Sequence, residues 1–287
     1  MNWLHRGERI LLMTDKLRIG VAARSWIVWS SLVAVTVVLF SGCASNMPGA
    51  SMNSDRETES DEPEARKRAR LRLELAVAYF DKGQTTDALD HLKQSITADP
   101  GLFEAYNLRG LIYMRLNEMP LAEESFRRAL AINTKAASVQ HNYGWMLCQQ
   151  SRFTESTQLF NSALANPAYG ERAKTWMAMG LCQMKAGQSA EAESSFVRAY
   201  ELDAGNPITA YNLAQLLYQR GEFVRAQFYV RRLNNSELAN AESLWLGIKV
   251  ERRMENRDAM AQLSGQLRKR YPQSRENLAL ERGAFNE

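Results

Sequence analysis

The chain has 287 residues, 45% of them apolar, which is length and hydrophobicity enough to bury a sizeable core. Its 36 Lys and Arg stand against 32 Asp and Glu, but five of the basic and two of the acidic residues fall in positions 1–42, leaving 31 against 30. A nearly neutral remainder, with no basic cluster interleaved with aromatics, excludes nucleic acid as a partner class.

The first element is an export signal over residues 1–42. Arg18 and Arg24 precede a fourteen-residue apolar run from Ile27 to Phe40, and the small residues Ser41 and Gly42 then lead to Cys43. Positive charge, apolar run and small residues follow one another as they do in a secretory signal. A permanent span takes about 20 apolar residues to cross about 30 Å of hydrocarbon, so this shorter run suits a cleaved segment. A structural cysteine normally lies inside a periodic element, whereas Cys43 marks the point where the apolar run gives way to polar chain. LFSGC resembles the bacterial lipobox, which implies that the cysteine becomes the mature N-terminus, with a diacylglycerol thioether on its sulfur and an acyl group on its amine. Phe40 departs from the leucine usual in that pattern. Ala44 is not the aspartate that retains such proteins at the inner membrane, so the resemblance implies a lipid-anchored outer-membrane protein whose domain faces the periplasm. Met13 offers a second translation start that would give a signal of more ordinary length.

Residues 43–63 read as a flexible tether. The stretch from Ala44 to Pro63 is rich in Ser, Asp and Glu and holds nothing to bury. Its twenty residues span about 25 Å root-mean-square, which keeps a folded domain clear of lipid headgroups.

From residue 64 onward the sequence repeats itself. The small residues Ala76, Gly110, Gly144, Gly180, Ala214 and Gly247 recur at spacings of 34, 34, 36, 34 and 33. Twelve positions after each comes Ala88, Ala122, Ser156, Ala192, Ala226 or Ala259, and four further on a large apolar residue: Leu92, Phe126, Phe160, Phe196, Val230 or Leu263. This resembles the tetratricopeptide repeat, a helix-turn-helix unit whose small residues lie where the two helices cross. Gly83, Asn117, Ser151, Gly187 and Gly221 fall at the predicted turns, where helix-ending geometry is required. No alternating apolar run bounded by turn residues predicts a strand. The fold is predicted as all-α, with repeats near 69–102, 103–136, 137–172, 173–206, 207–239 and 240–273 stacked in a solenoid. The resemblance implies a right-handed superhelix. The sixth repeat is the most polar and is expected to be the capping unit, its second helix being the last, with YPQS following it.

The strings HNYGWMLCQQSRF, FNSALANPAY, MGLCQMKAGQSAEAESSFVRA and ESLWLGIKVERR carry more than the generic repeat. They resemble the PilF/PilW family of type IV pilus biogenesis and stability lipoproteins, and the likeness runs from the lipobox to YPQS. It implies a pilotin-like role, in which an outer-membrane lipoprotein helps the pilus secretin reach that membrane and oligomerise there. The alternative from another class is an envelope lipoprotein that binds and stimulates peptidoglycan synthesis enzymes. Both would use one surface.

First helices of tetratricopeptide repeats line a concave groove. The groove positions predicted here are Leu73, Val77 and Phe80; Asn107, Leu111 and Met114; His141, Asn142, Trp145 and Gln149; Met177, Leu181 and Met184; Tyr211, Asn212, Gln215 and Tyr218. Apolar anchors with interspersed amides suit capture of an amphipathic or extended peptide. A carboxylate clamp would need several cations beside Asn142, and Lys174 alone approaches that pattern. His91 and His141 have no metal-ligand spacing, no glycine-rich phosphate loop or GxSxG elbow occurs, and the pairs Glu123–Glu124 and Glu191 with Glu193 are expected on solvated helix faces. The sequence therefore offers no catalytic residue, metal site or cofactor. Once Cys43 is acylated, Cys148 and Cys182 remain as an even pair in an oxidising compartment. They are predicted either to bridge neighbouring repeats or to pack as small buried hydrophobes.

Overall fold

The computed structural model describes residues 62–285, so the signal, Cys43 and nearly all of the tether lie outside the described residues. Helices follow one another in antiparallel pairs: α1 (Glu64–Asp81) with α2 (Thr85–Ala98), α3 (Phe103–Arg115) with α4 (Met119–Ile132), and α5 (Ala137–Gln149) with α6 (Phe153–Leu164). The series continues with α7 (Arg172–Lys185) and α8 (Ser189–Leu202), α9 (Pro207–Gln219) and α10 (Phe223–Asn234), then α11 (Ala241–Arg253) and α12 (Arg257–Arg270). A short α13 (Arg275–Arg282) follows, and no strand occurs among the described residues. The all-α solenoid of tetratricopeptide repeats is the architecture found.

Each pair is closed by the same device. Ala88, Ala122, Ser156, Ala192 and Ala226 are buried at the helix crossings, and Leu92, Phe126, Phe160, Phe196 and Val230 behind them are fully enclosed. Where the large residue is phenylalanine, the partner across the crossing is glycine. A Cβ added at Gly110 would lie 2.6 Å from Phe126, and one at Gly180 2.8 Å from Phe196, so no side chain fits there. The paired helices turn through Gly83, Asn117, Ser151, Gly187 and Gly221, all with positive φ, the conformation that ends a helix most readily at Gly or Asn.

The sixth repeat departs from the expected pattern. Its left-handed turn residue is Glu255, eight positions after Gly247 where the other repeats count seven. One extra residue rotates the helical pattern by about 100°. Leu263 still meets Gly247, but the buried residues of α12 are Ser264 and Leu267, while Ala259 and Leu263 are only half-buried. The chain also does not stop being helical at YPQS. Ser274 accepts from the Asn277 backbone N–H to start α13, and Gly283 ends it at φ 67°. This helix closes a second small core made of Leu244, Trp245, Ile248, Leu267 and Leu280. The cap is therefore α13 together with the sixth repeat, not the sixth repeat alone.

Candidate functional site: the inner wall of the first helices

The first helices α1, α3, α5, α7, α9 and α11 each touch the next as well as their own partner, so they form one continuous wall. Counting back from the turns gives the columns of that wall. Ten residues before each turn stand Leu73, Asn107, His141, Met177, Tyr211 and Trp245; six before stand Val77, Leu111, Trp145, Leu181, Gln215 and Lys249.

The predicted groove residues divide into two sets. Phe80 is fully enclosed, roofed by the Arg115 guanidinium 3.7 Å over its ring, which also donates to the Phe80 carbonyl at 2.7 Å. Met177 is 1% exposed, and Leu111, Met114 and Leu181 are also buried. These five are core, because a first helix must bury one flank against its neighbours before it can offer the other. Leu73, Val77, Asn107, Asn142, Met184, Tyr211 and Tyr218 are half-buried and keep accessible surface. Among them Asn142 donates to the Asn107 side-chain oxygen at 3.1 Å, joining the second and third repeats across the wall. Asn212 is committed to its own helix, donating to the Ile208 carbonyl at 2.7 Å.

Trp145 and His141, both predicted on the groove surface, are both buried. Trp145 is 3% exposed, yet its buried Nε1 has no hydrogen-bond partner, and the Lys185 amine lies 5.7 Å over its ring. His141 is buried, with Nδ1 2.8 Å from the Thr175 hydroxyl. Burial first and then the charge of Lys174 push its imidazole down to about 3, so it stays neutral inside the wall. The Tyr211 hydroxyl is pushed above the usual range by burial, with the charges of Glu242 and Glu276 adding to it.

Neighbouring repeats are tied together by a disulfide and by carboxylate hubs. The structure joins Cys148 of α5 to Cys182 of α7 as a disulfide, their Cα atoms 5.7 Å apart. Glu123, expected from the sequence as a solvated carboxylate, is instead a hub. It accepts from the Tyr143 hydroxyl at 2.8 Å, from Arg127 at 2.7 Å and from Arg152 at 2.8 Å. Those donors outweigh its burial and hold its carboxyl below the usual range. Glu193 has the equivalent role in the fourth repeat, pairing with Arg220 and Arg225, while Glu124 and Glu191 remain on the exposed side as expected.

Lys185, Trp245 and Lys249 were missed as wall residues by sequence reasoning. Lys249 lies 5.6 Å over the Tyr218 ring and 5.7 Å over that of Trp245, which in turn stacks on Phe285 at 5.2 Å. The signal was present: counted from the turn at residue 255 instead of from Gly247, Trp245 and Lys249 fall directly into the two columns.

Comparison with known proteins agrees with this architecture. The tetratricopeptide repeat family matches residues 73–137 and again residues 183–244. The type IV pilus assembly protein PilF of Pseudomonas aeruginosa is 30% identical over 247 residues, which cover 86% of this chain and 95% of that protein. A solved structure of Pseudomonas aeruginosa PilF superposes with a TM-score of 0.70 at 29% identity, over 77% of this chain and 100% of that one. The crystal structure of PilW, a widely conserved type IV pilus biogenesis factor, superposes at 0.66 with 29% identity, over 74% and 97%. An alternating helical wall, the tight glycine crossings and a relative matched along nearly its whole length converge on one assignment: this chain belongs to the PilF/PilW family of type IV pilus tetratricopeptide repeat proteins.

Proposed function

We propose that this type IV pilus biogenesis protein is an outer-membrane lipoprotein, anchored through acylated Cys43 with its repeats in the periplasm, that helps the pilus secretin reach the outer membrane and oligomerise by holding a segment of it against the wall of first helices. In this reading the protein binds and positions its partner and does no chemistry on it. The observation that carries this reading is the wall itself, half-buried aromatic and aliphatic side chains beside the Asn107–Asn142 amide pair, in a chain of this family. Apolar surface supplies affinity to an extended or amphipathic segment, and amides fix its backbone. Several acyl chains at Cys43 would hold the protein on the membrane, since each buried methylene contributes about 0.8 kcal/mol.

The test is capture from envelope extracts with the full lipidated chain, read by mass spectrometry. The secretin subunit is expected among the recovered proteins, and the Asn107→Ala/Asn142→Ala double variant is expected to recover at least fivefold less at unchanged helical circular dichroism. Removing both amides leaves no buried donor without its acceptor, so the fold tolerates the pair. Extracts in which the secretin is never recovered by the wild-type chain would refute the reading.

A further inference from the structure

The far end of the wall carries a charge that its own surroundings do not explain. Lys249 stands in the sixth repeat where Trp145 stands in the third, and its amine lies between the rings of Tyr218 and Trp245. Burial pushes its ammonium below the usual lysine range, and among the described residues no carboxylate acts on it to hold it up. Glu242, two turns back on the same helix, acts on Tyr211 instead. In the middle of the wall the exposed Lys185 also lies over an indole, that of Trp145.

At position 249 a leucine would pack against the rings of Tyr218 and Trp245 with no desolvated charge. An ammonium laid on an aromatic face is partly stabilised by the ring quadrupole and keeps hydrogen-bond donors for an anion. Aromatic walls that exclude water strengthen any ion pair formed there, because the attraction rises as the local dielectric falls. On the strength of these two lysine-on-indole sites, and resting on the groove function proposed for the wall, we infer that the segment this wall binds is acidic: its carboxylates pair with Lys249 and Lys185, and its apolar side chains lie on the half-buried Tyr218 and Met184. Lys185 and Lys249 belong to the fourth and sixth repeats, and neighbouring helices pack about 10 Å apart, so the sites lie about 20 Å from one another, or about six residues of extended chain. Acidic groups spaced along one short strand therefore reach both.

The experiment uses two fluorescein-labelled heptapeptides, one alternating glutamate with phenylalanine and one carrying glutamine in place of each glutamate. Binding to the full chain in mild detergent is followed by anisotropy, with empty micelles as the blank. The wild-type chain should bind the glutamate peptide about tenfold tighter than its glutamine counterpart. Lys249→Gln should reduce that ratio to about twofold or less, whereas Lys249→Arg should keep most of it, with helical circular dichroism unchanged in both. Equal affinities for the two peptides in the wild-type chain, no binding of either, or an undiminished preference in Lys249→Gln would each overturn the inference. Such a result alongside secretin capture by the wild-type chain would leave the groove function standing and remove only the acidic preference.

Discussion

At Gly110 the choice between hydrogen and methyl decides whether two helices can cross. The Phe126 ring already fills the space where a Cβ would go, 2.6 Å away at its nearest atom. The first repeat solves the same crossing with Ala76 over Leu92 and the fifth with Ala214 over Val230, so the smaller partner makes room for the larger small residue. Gly110→Ala should therefore lower stability by about 1–3 kcal/mol through overpacking. Adding Phe126→Leu should recover most of that loss in urea unfolding, because it recreates the pair of the first repeat. A double variant less stable than Gly110→Ala alone would contradict this. His141 gives a second prediction. Unfolded, its imidazole takes up a proton near pH 6.5, whereas in the folded wall it stays neutral down to about 3. The unfolded state thus binds more protons over that window, and stability that is complete above pH 6.5 is lost as pH falls toward 3, by at most about 1.4 kcal/mol per unit. Urea titrations at pH 7 and pH 5 should show a decline in the wild-type chain that is smaller in His141→Gln. An equal decline in both would assign the pH dependence to other groups.

At the scale of elements, the sequence pattern was most legible where helix pairs repeat faithfully. Small residues, large residues and turns of the first five repeats fell at their predicted places because crossing geometry permits few alternatives. Legibility failed at the sixth repeat, where a one-residue shift moved the turn to Glu255, and at α13, whose eight residues RENLALER hold too few apolar positions for periodicity to mark a helix. The groove was half legible. Position in a first helix identified the wall, but it did not separate Phe80 and Met177, enclosed in the core, from Val77 and Asn142, which keep accessible surface. Nor did composition show that Glu123 would collect Tyr143, Arg127 and Arg152 around its carboxylate. The link between α5 and α7 is the element-scale feature most easily tested. Thiol counting on the unreduced, denatured chain should find neither Cys148 nor Cys182 free, and reduction should lower stability by about 3 kcal/mol, as expected for closing a loop of this length. Two free thiols besides any at Cys43 would show that the pair only packs.

Across the whole molecule, each repeat buries its faces on its neighbours, so the wall is as continuous as the core behind it. Cys43, the proposed anchor, precedes the first repeat in the chain, and the far end of the wall is closed by α13 with Phe285 on Trp245. If Cys43 is anchored as proposed, a continuous wall held at one end suits a protein that receives a partner at a membrane and holds it in one orientation. If the wall loads the pilus secretin, secretin assembly must depend on both the anchor and the groove. The most direct measurement is the amount of detergent-resistant secretin multimer in outer-membrane fractions of a strain lacking this gene, complemented in turn by the wild-type chain, Cys43→Ala and Asn107→Ala/Asn142→Ala. Multimers should be absent without the gene, restored by the wild-type chain, and reduced at least fivefold by either variant at equal protein levels. Full multimer levels in the strain lacking the gene, or in the groove variant, would contradict a role for this wall in secretin assembly.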